Sequence, residues 1–115
     1  LKDYINLSDL LDYLINQECD NLYVEILSSK YDNPLKKGNV LAQWATIYNK
    51  EDNWTKYELI IYSTHIEFVK NRDLPSIISY NVNNYWGENY MLDMNDPDSL
   101  NKLVRVLKIL DKIRM

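Results

Sequence analysis

The chain is predicted to fold as α+β: an N-terminal helix, a mainly antiparallel sheet of about five strands built on a meander, and a C-terminal amphipathic helix, with both helices on one sheet face. Three stretches carry this. Residues 7–18 place Leu and Ile at helical spacing, and residues 40–70 alternate with period two through two reversals. Residues 96–115 repeat apolar side chains at i, i+3, i+4 behind an Asp-Pro-Asp start. A length of 115 residues suits one domain, 1–115, with enough chain for a core that needs no disulfide or metal staple.

The first helix is expected over about residues 7–18, with Asn6 or Ser8 as N-cap and Asp9 in the first turn. Its polar face carries Asp9, Asp12, Asn16 and Glu18, the composition of a solvated surface. Residues 22–28 follow as a strand with Leu22, Val24 and Ile26 on one face. Residues 29–38 read as a loop, with Asn-Pro starting a turn and Lys36-Lys37-Gly38 at its tip.

The meander is the centre of the prediction. Five polar residues, Asn49 to Asn53, separate two runs rich in aromatic and β-branched side chains, a common hairpin loop length. If Tyr48 stands opposite Trp54, then Thr46 faces Lys56, Trp44 faces Glu58 and Ala42 faces Ile60. The other face then carries Leu41 with Ile61, Gln43 with Leu59, Ala45 with Tyr57 and Ile47 with Thr55. A second reversal at Ser63-Thr64 puts Tyr62 opposite His65, aligning Ile61 with Ile66 and Leu59 with Phe68. Both hairpins thereby gather their aliphatic residues on one side, which a one-residue slip would destroy. Neither Ser nor Thr accepts positive φ easily, which favours a longer second turn than this register draws.

Residues 71–75 are a polar connection, and residues 77–82 read as a fifth strand with Ile78, Tyr80 and Val82 on one face. The aromatic segment 83–94, centred on Trp86-Gly87, fits either a hairpin extension or a loop laid across the sheet. The last helix has Asp96 at its N-cap, Pro97 in its first position and Asp98 in its first turn. Leu100, Leu103, Val104, Leu107 and Leu110 form its stripe, with Lys102, Arg105, Lys108, Lys112 and Arg114 opposite. Val106, Ile109 and Ile113 widen the apolar sector, so this helix is buried on more than one side or pairs with a second copy in a homodimer.

Composition narrows function more by exclusion than by assignment. Net charge is −4; residues 96–115 carry five basic against three acidic residues, and residues 1–95 eight against fourteen. An acidic body makes nucleic-acid binding a poor fit, because phosphate backbones need clustered Lys and Arg. One cysteine, Cys19, cannot form an internal disulfide or a thiolate cluster, and at a helix end it reads as a core residue. One histidine, His65, supplies no His-based metal site. With Tyr62 and Glu67 it could form an acid–base trio, but at a strand start it reads as an ordinary surface group. Gly38 and Gly87 alone cannot build a phosphate loop. No cofactor, catalytic residue or metal ligand is therefore assigned. No signal peptide or apolar run of about 18 residues is seen, so the chain reads as a soluble, cytoplasmic protein away from membranes. It opens at Leu1 rather than Met, which suggests trimmed upstream sequence. Ten Tyr and fourteen Asn, both with AT-rich codons, suit a low-GC bacterial, phage or viral source.

The predicted function is a non-enzymatic protein-binding module, of the inhibitor, immunity or antidefence kind. Trp44, Tyr48, Trp54 and Tyr62 fall on the sheet face away from the helices, and Tyr85 and Trp86 join them as candidate interface residues. The alternatives are a nucleic-acid-associated protein using these aromatics with Lys36, Lys37 and the basic last helix, and a small enzyme around His65.

Overall fold

The computed structural model describes residues 7–27, 35–37 and 40–112, of which residues 35–37, 40 and 41 by backbone only. In chain order the elements are α1 (Leu7–Glu18), β1 (Leu22–Ile26), β2 (Leu35–Lys37), β3 (Val40–Asn49), β4 (Thr55–Ile61), β5 (His65–Phe68), α2 (Ser76–Trp86), β6 (Met91–Asp93) and α3 (Ser99–Lys112). The sheet runs β1-β3-β4-β5-β6, with β2 pairing the first residues of β3, and every pairing is antiparallel. The α+β meander is thus present, with one helix and one short strand more than the sequence suggested.

All three helices contribute to a single core with the inner sheet face. Leu11 and Ile15 of α1, Ile78, Val82 and Trp86 of α2, and Leu103, Val106, Leu107 and Leu110 of α3 meet Ala45, Ile47, Tyr57, Leu59, Ile61, Ile66, Phe68 and Leu92 from the strands. Strand periodicity puts those inner residues at alternate positions, leaving the intervening ones on the far side. The exposed flank of α1 carries Asp9, Asp12, Asn16 and Glu18, as expected. Ser8 is not its cap: it lies inside the helix, and its buried hydroxyl bonds the Gln43 side-chain oxygen. Asn6 lies outside the described residues.

The β4–β5 hairpin has the expected register, Leu59 opposite Phe68 and Ile61 opposite Ile66. Its turn is the short one: the Tyr62 N–H donates to the His65 carbonyl at 2.9 Å, and neither Ser63 nor Thr64 has positive φ. The β3–β4 hairpin differs by two residues. Tyr48 stands opposite Lys56 rather than Trp54, Thr46 opposite Glu58, Trp44 opposite Ile60, and Ala45 opposite Leu59. The cause lies in Asn49, which ends the strand instead of starting the loop. Its side-chain oxygen accepts from the N–H groups of Glu51 at 2.9 Å and Asp52 at 3.1 Å, an Asx-type turn. Asn53 and Trp54 then take left-handed φ of 57° and 61°, closing the loop one position later. An even shift keeps each side chain on its face, so the facial assignment survives the wrong register.

The strand expected over residues 77–82 is the helix α2. Ile78, Val82 and Trp86, spaced four apart, turn inward, while Tyr80 is 67% exposed. Pro75 precedes the helix, and Gly87 ends it with φ 116°, its N–H reaching the Asn83 carbonyl at 3.0 Å. A Cβ at position 87 would meet nothing within 4 Å, so the glycine serves the backbone angle and not a tight contact. Residues 83–94 accordingly split into the end of α2, a turn, and β6 on the sheet edge; they do not cover the outer face. Part of the loop expected over 29–38 is strand β2, and 29–34 and 38 lie outside the described residues.

The last helix begins at Ser99, not behind an Asp96 cap. Asp96 instead receives the Asp98 N–H at 2.9 Å and the Lys102 ammonium at 2.6 Å, bracing the turn that leads in. Its inward stripe is Leu103, Val106, Leu107 and Leu110, rotated so that Leu100 is 47% exposed and Val104 half-buried. The helix C-terminus is stitched to two distant turns. Asp111 accepts from the Asn21 N–H at 2.7 Å, and the Asn49 side-chain amide donates to the Leu110 carbonyl at 2.7 Å.

Candidate functional site

Strand pairing determines what the outer face presents. β1 lies beside β3, so Tyr23 stands directly opposite Tyr48, and Glu25 opposite Thr46, whose other neighbour is Glu58. The next rung runs Trp44, Ile60, Glu67. Trp54 reaches the face from the hairpin loop, and its left-handed backbone turns the indole onto the two tyrosines. Ring centroids are 6.0 Å apart for Tyr23–Tyr48, 6.1 Å for Tyr48–Trp54 and 6.4 Å for Tyr23–Trp54, the last two edge-to-face. The Tyr48 hydroxyl donates to the Glu25 carboxylate at 3.1 Å, which pushes its pKa up, and the Lys56 ammonium lies 5.9 Å from the Tyr48 ring centre. Tyr23 and Trp54 are half exposed, at 50% and 53%.

Further along the same face, the Tyr62 and His65 rings stack at 4.2 Å with 17° between planes. Burial and the Glu67 carboxylate raise the Tyr62 pKa. Thr64 Oγ1 lies 3.3 Å from His65 Nδ1. Tyr62, His65 and Glu67 are each partly exposed, an open arrangement rather than an enclosed acid–base pocket. Among the described residues no group of three His, Cys, Asp or Glu side chains is placed to hold a metal ion. No helix among them is long and apolar enough to cross a membrane.

Of the six candidate interface residues, Trp44, Tyr48, Trp54 and Tyr62 share this face. Tyr85 and Trp86 do not, because α2 lies on the helical side. Trp86 is buried against Phe68, with its Nε1–H donating to the Lys102 carbonyl at 3.2 Å, and so cannot serve as an exposed anchor. Tyr85 is half-buried beneath the Arg105 guanidinium, which sits 4.7 Å from its ring centre and donates to its hydroxyl at 3.0 Å. Tyr23 and Glu25 were missed by sequence. Alternation in LYVEI turns both outward, but nothing local shows that β1 docks beside β3 rather than at the other edge.

Cys19 follows the core expectation. It is buried and points its thiol at the Leu107 carbonyl, 3.8 Å away; burial first, then the Asp111 and Glu18 carboxylates, push its pKa up to about 12. Native protein treated with iodoacetamide at mildly alkaline pH should therefore stay unmodified, and denatured protein should take up one equivalent. Rapid labelling of the native state would contradict the packing at the end of α1. No family model matches the chain, and no curated protein and no solved structure is significantly similar to it.

Proposed function

We propose that this chain is a small non-enzymatic protein-binding module, of the inhibitor, immunity or antidefence kind, that receives a Lys/Arg-rich protein surface on its outer sheet face. The observation that carries this is Trp54. A bulky side chain at φ 61° costs on the order of 1–3 kcal/mol. What that strain positions is an indole left 53% exposed, packed on two tyrosines at the side of the sheet remote from the helices. Such rings offer large contact area at low entropic cost, and their faces attract cations. Glu25, Glu58 and Glu67 stand among them, so a basic partner meets carboxylates and ring faces together, while a phosphate backbone meets like charge.

Fluorescence anisotropy tests the proposal with three labelled probes: an arginine-rich peptide, a glutamate-rich peptide and a single-stranded oligonucleotide. The arginine-rich peptide should bind best. Trp54→Ala should weaken it by about 2 kcal/mol, roughly thirtyfold, with the melting temperature nearly unchanged because the ring lies outside the core. Preferential oligonucleotide binding with steep salt dependence would favour the nucleic-acid reading instead. An unaltered peptide affinity in Trp54→Ala would remove the aromatic face from the function.

A further inference from the structure

The strand order ends in β1 and β6, and the two ends differ. On β6 the outward carbonyl of Asp93 receives the Asp96 N–H at 3.1 Å, and the strand is only three residues long. That edge is closed by its own turn. β1 is five residues long, LYVEI. The Asn21 carbonyl receives the Lys50 N–H at 2.7 Å, and the Leu27 N–H reaches the Trp44 carbonyl at 2.9 Å. Alternation in an antiparallel ladder then commits the odd-numbered positions to β3. Leu22, Val24 and Ile26 turn their N–H and C=O groups the other way, where no partner stands among the described residues. Edges of this kind are commonly blunted by Lys, Pro or a bulge. β1 has no Lys or Pro, and its pairing with β3 runs unbroken.

This edge adjoins the aromatic face, since Tyr23 and Glu25 are the outward residues of β1. Residues 18–27 hold three carboxylates, Glu18, Asp20 and Glu25, and no basic residue. Asp111 adds a fourth where it accepts from the Asp20 and Asn21 N–H groups. The cations nearby belong to other elements: Lys108 is held by Glu18, Lys50 follows β3, and Lys56 lies on β4 beyond Tyr48. A second copy pairing β1 to β1 would set this acidic run against itself. A basic strand meets opposite charge along its length.

We propose that an extended basic segment of the partner adds to β1 as a further antiparallel strand, a reading that rests on the proposed function and names how that face engages its ligand. Main-chain bonds to Leu22, Val24 and Ile26 supply the attachment. One set of alternate side chains lies on the outer face, with cations beside Glu25 and the Tyr23 ring, roughly 5 Å from β1. The other set extends the inward row of Leu22 and Val24, both buried, and is therefore apolar. The ligand pattern is alternating basic and β-branched residues.

The test uses the full chain and a labelled peptide, Arg-Val-Arg-Val-Arg-Val-Arg, with two N-methylated analogues. In antiparallel addition the valines stand opposite Leu22, Val24 and Ile26, so their N–H groups bond β1 while those of the arginines point away. N-methylation of the valine nitrogens should weaken binding at least about tenfold, and of the arginine nitrogens less than about twofold. Equal sensitivity to both sets, or to neither, overturns the strand addition. Binding that Trp54→Ala weakens but valine methylation does not would remove this inference alone; no binding of any basic peptide would remove the proposed function with it. A peptide-free mass of twice 13.7 kDa that returns to 13.7 kDa in Ile26→Pro would show that a second copy holds the edge, and would also overturn the proposal.

Discussion

Leu103→Asp should yield a chain with no cooperative thermal transition. Leu103 is fully buried at the centre of α3, in the cluster where all three helices meet the sheet. Loss of the leucine side chain alone costs about 2–5 kcal/mol. The carboxylate that replaces it would sit among Leu107, Trp86 and their neighbours, adding several kcal/mol more or forcing the group to take up a proton. A domain of this size has about 5–15 kcal/mol in total, so the two effects together exhaust its stability. Leu107→Asp, at a position equally buried, should behave alike. A cooperative melt within a few degrees of wild type for either variant would mean that α3 is not the central core element.

Asn49→Ala should be the most damaging polar substitution in the sheet. Asn49 is 0% exposed and bonds in two directions. Its amide N–H donates to the Leu110 carbonyl in the last turn of α3, and its oxygen receives the N–H groups of Glu51 and Asp52. Alanine would leave a buried carbonyl and two turn N–H groups without this partner, each a loss of about 1 kcal/mol or more. A total of about 3 kcal/mol corresponds to a fall of roughly 10–15 °C in melting temperature. Asn49→Asp should not rescue it, since a carboxylate keeps the turn acceptors but faces the Leu110 carbonyl without a proton to donate. A fall of under about 3 °C for Asn49→Ala would show that the turn and α3 close without the side chain.

That same residue explains why the first hairpin was half legible from sequence. Period-two alternation assigns the side chains of residues 43–48 and 55–61 to two faces, and the β3–β4 pairing keeps that assignment. Register depends on whether Asn49 belongs to the strand or the loop, and its partner is the end of a helix 61 residues away. No local pattern encodes that. Residues 77–82 were misread for a different reason: Ile78, Tyr80 and Val82 fit a strand face, while Ile78, Val82 and Trp86 fit a helix face equally well. Pro75 before the segment and Gly87 after it bound the helix and are the marks that separate the two patterns. The candidate face was legible wherever parity alone decides, at Trp44, Tyr48 and Tyr62. Tyr23 joined it only through the β1–β3 pairing, and Trp86 left it because α2 is a helix packed inside.

The bonds that stitch the end of α3 to the turns after α1 and β3 also govern when this chain can fold. Asp111 reaches Asp20 and Asn21 across about ninety positions, and Leu110 reaches Asn49 across 61. The hairpins form from near neighbours, but the core is completed only by the last fourteen-residue helix. During synthesis, the inner sheet face therefore has only α1 and α2 to cover it, and stays partly open until α3 is made. Closure of such long loops comes late and at an entropic cost, and a waiting apolar sheet is prone to aggregate. The nascent protein thus depends on α3 to leave its most adhesive state.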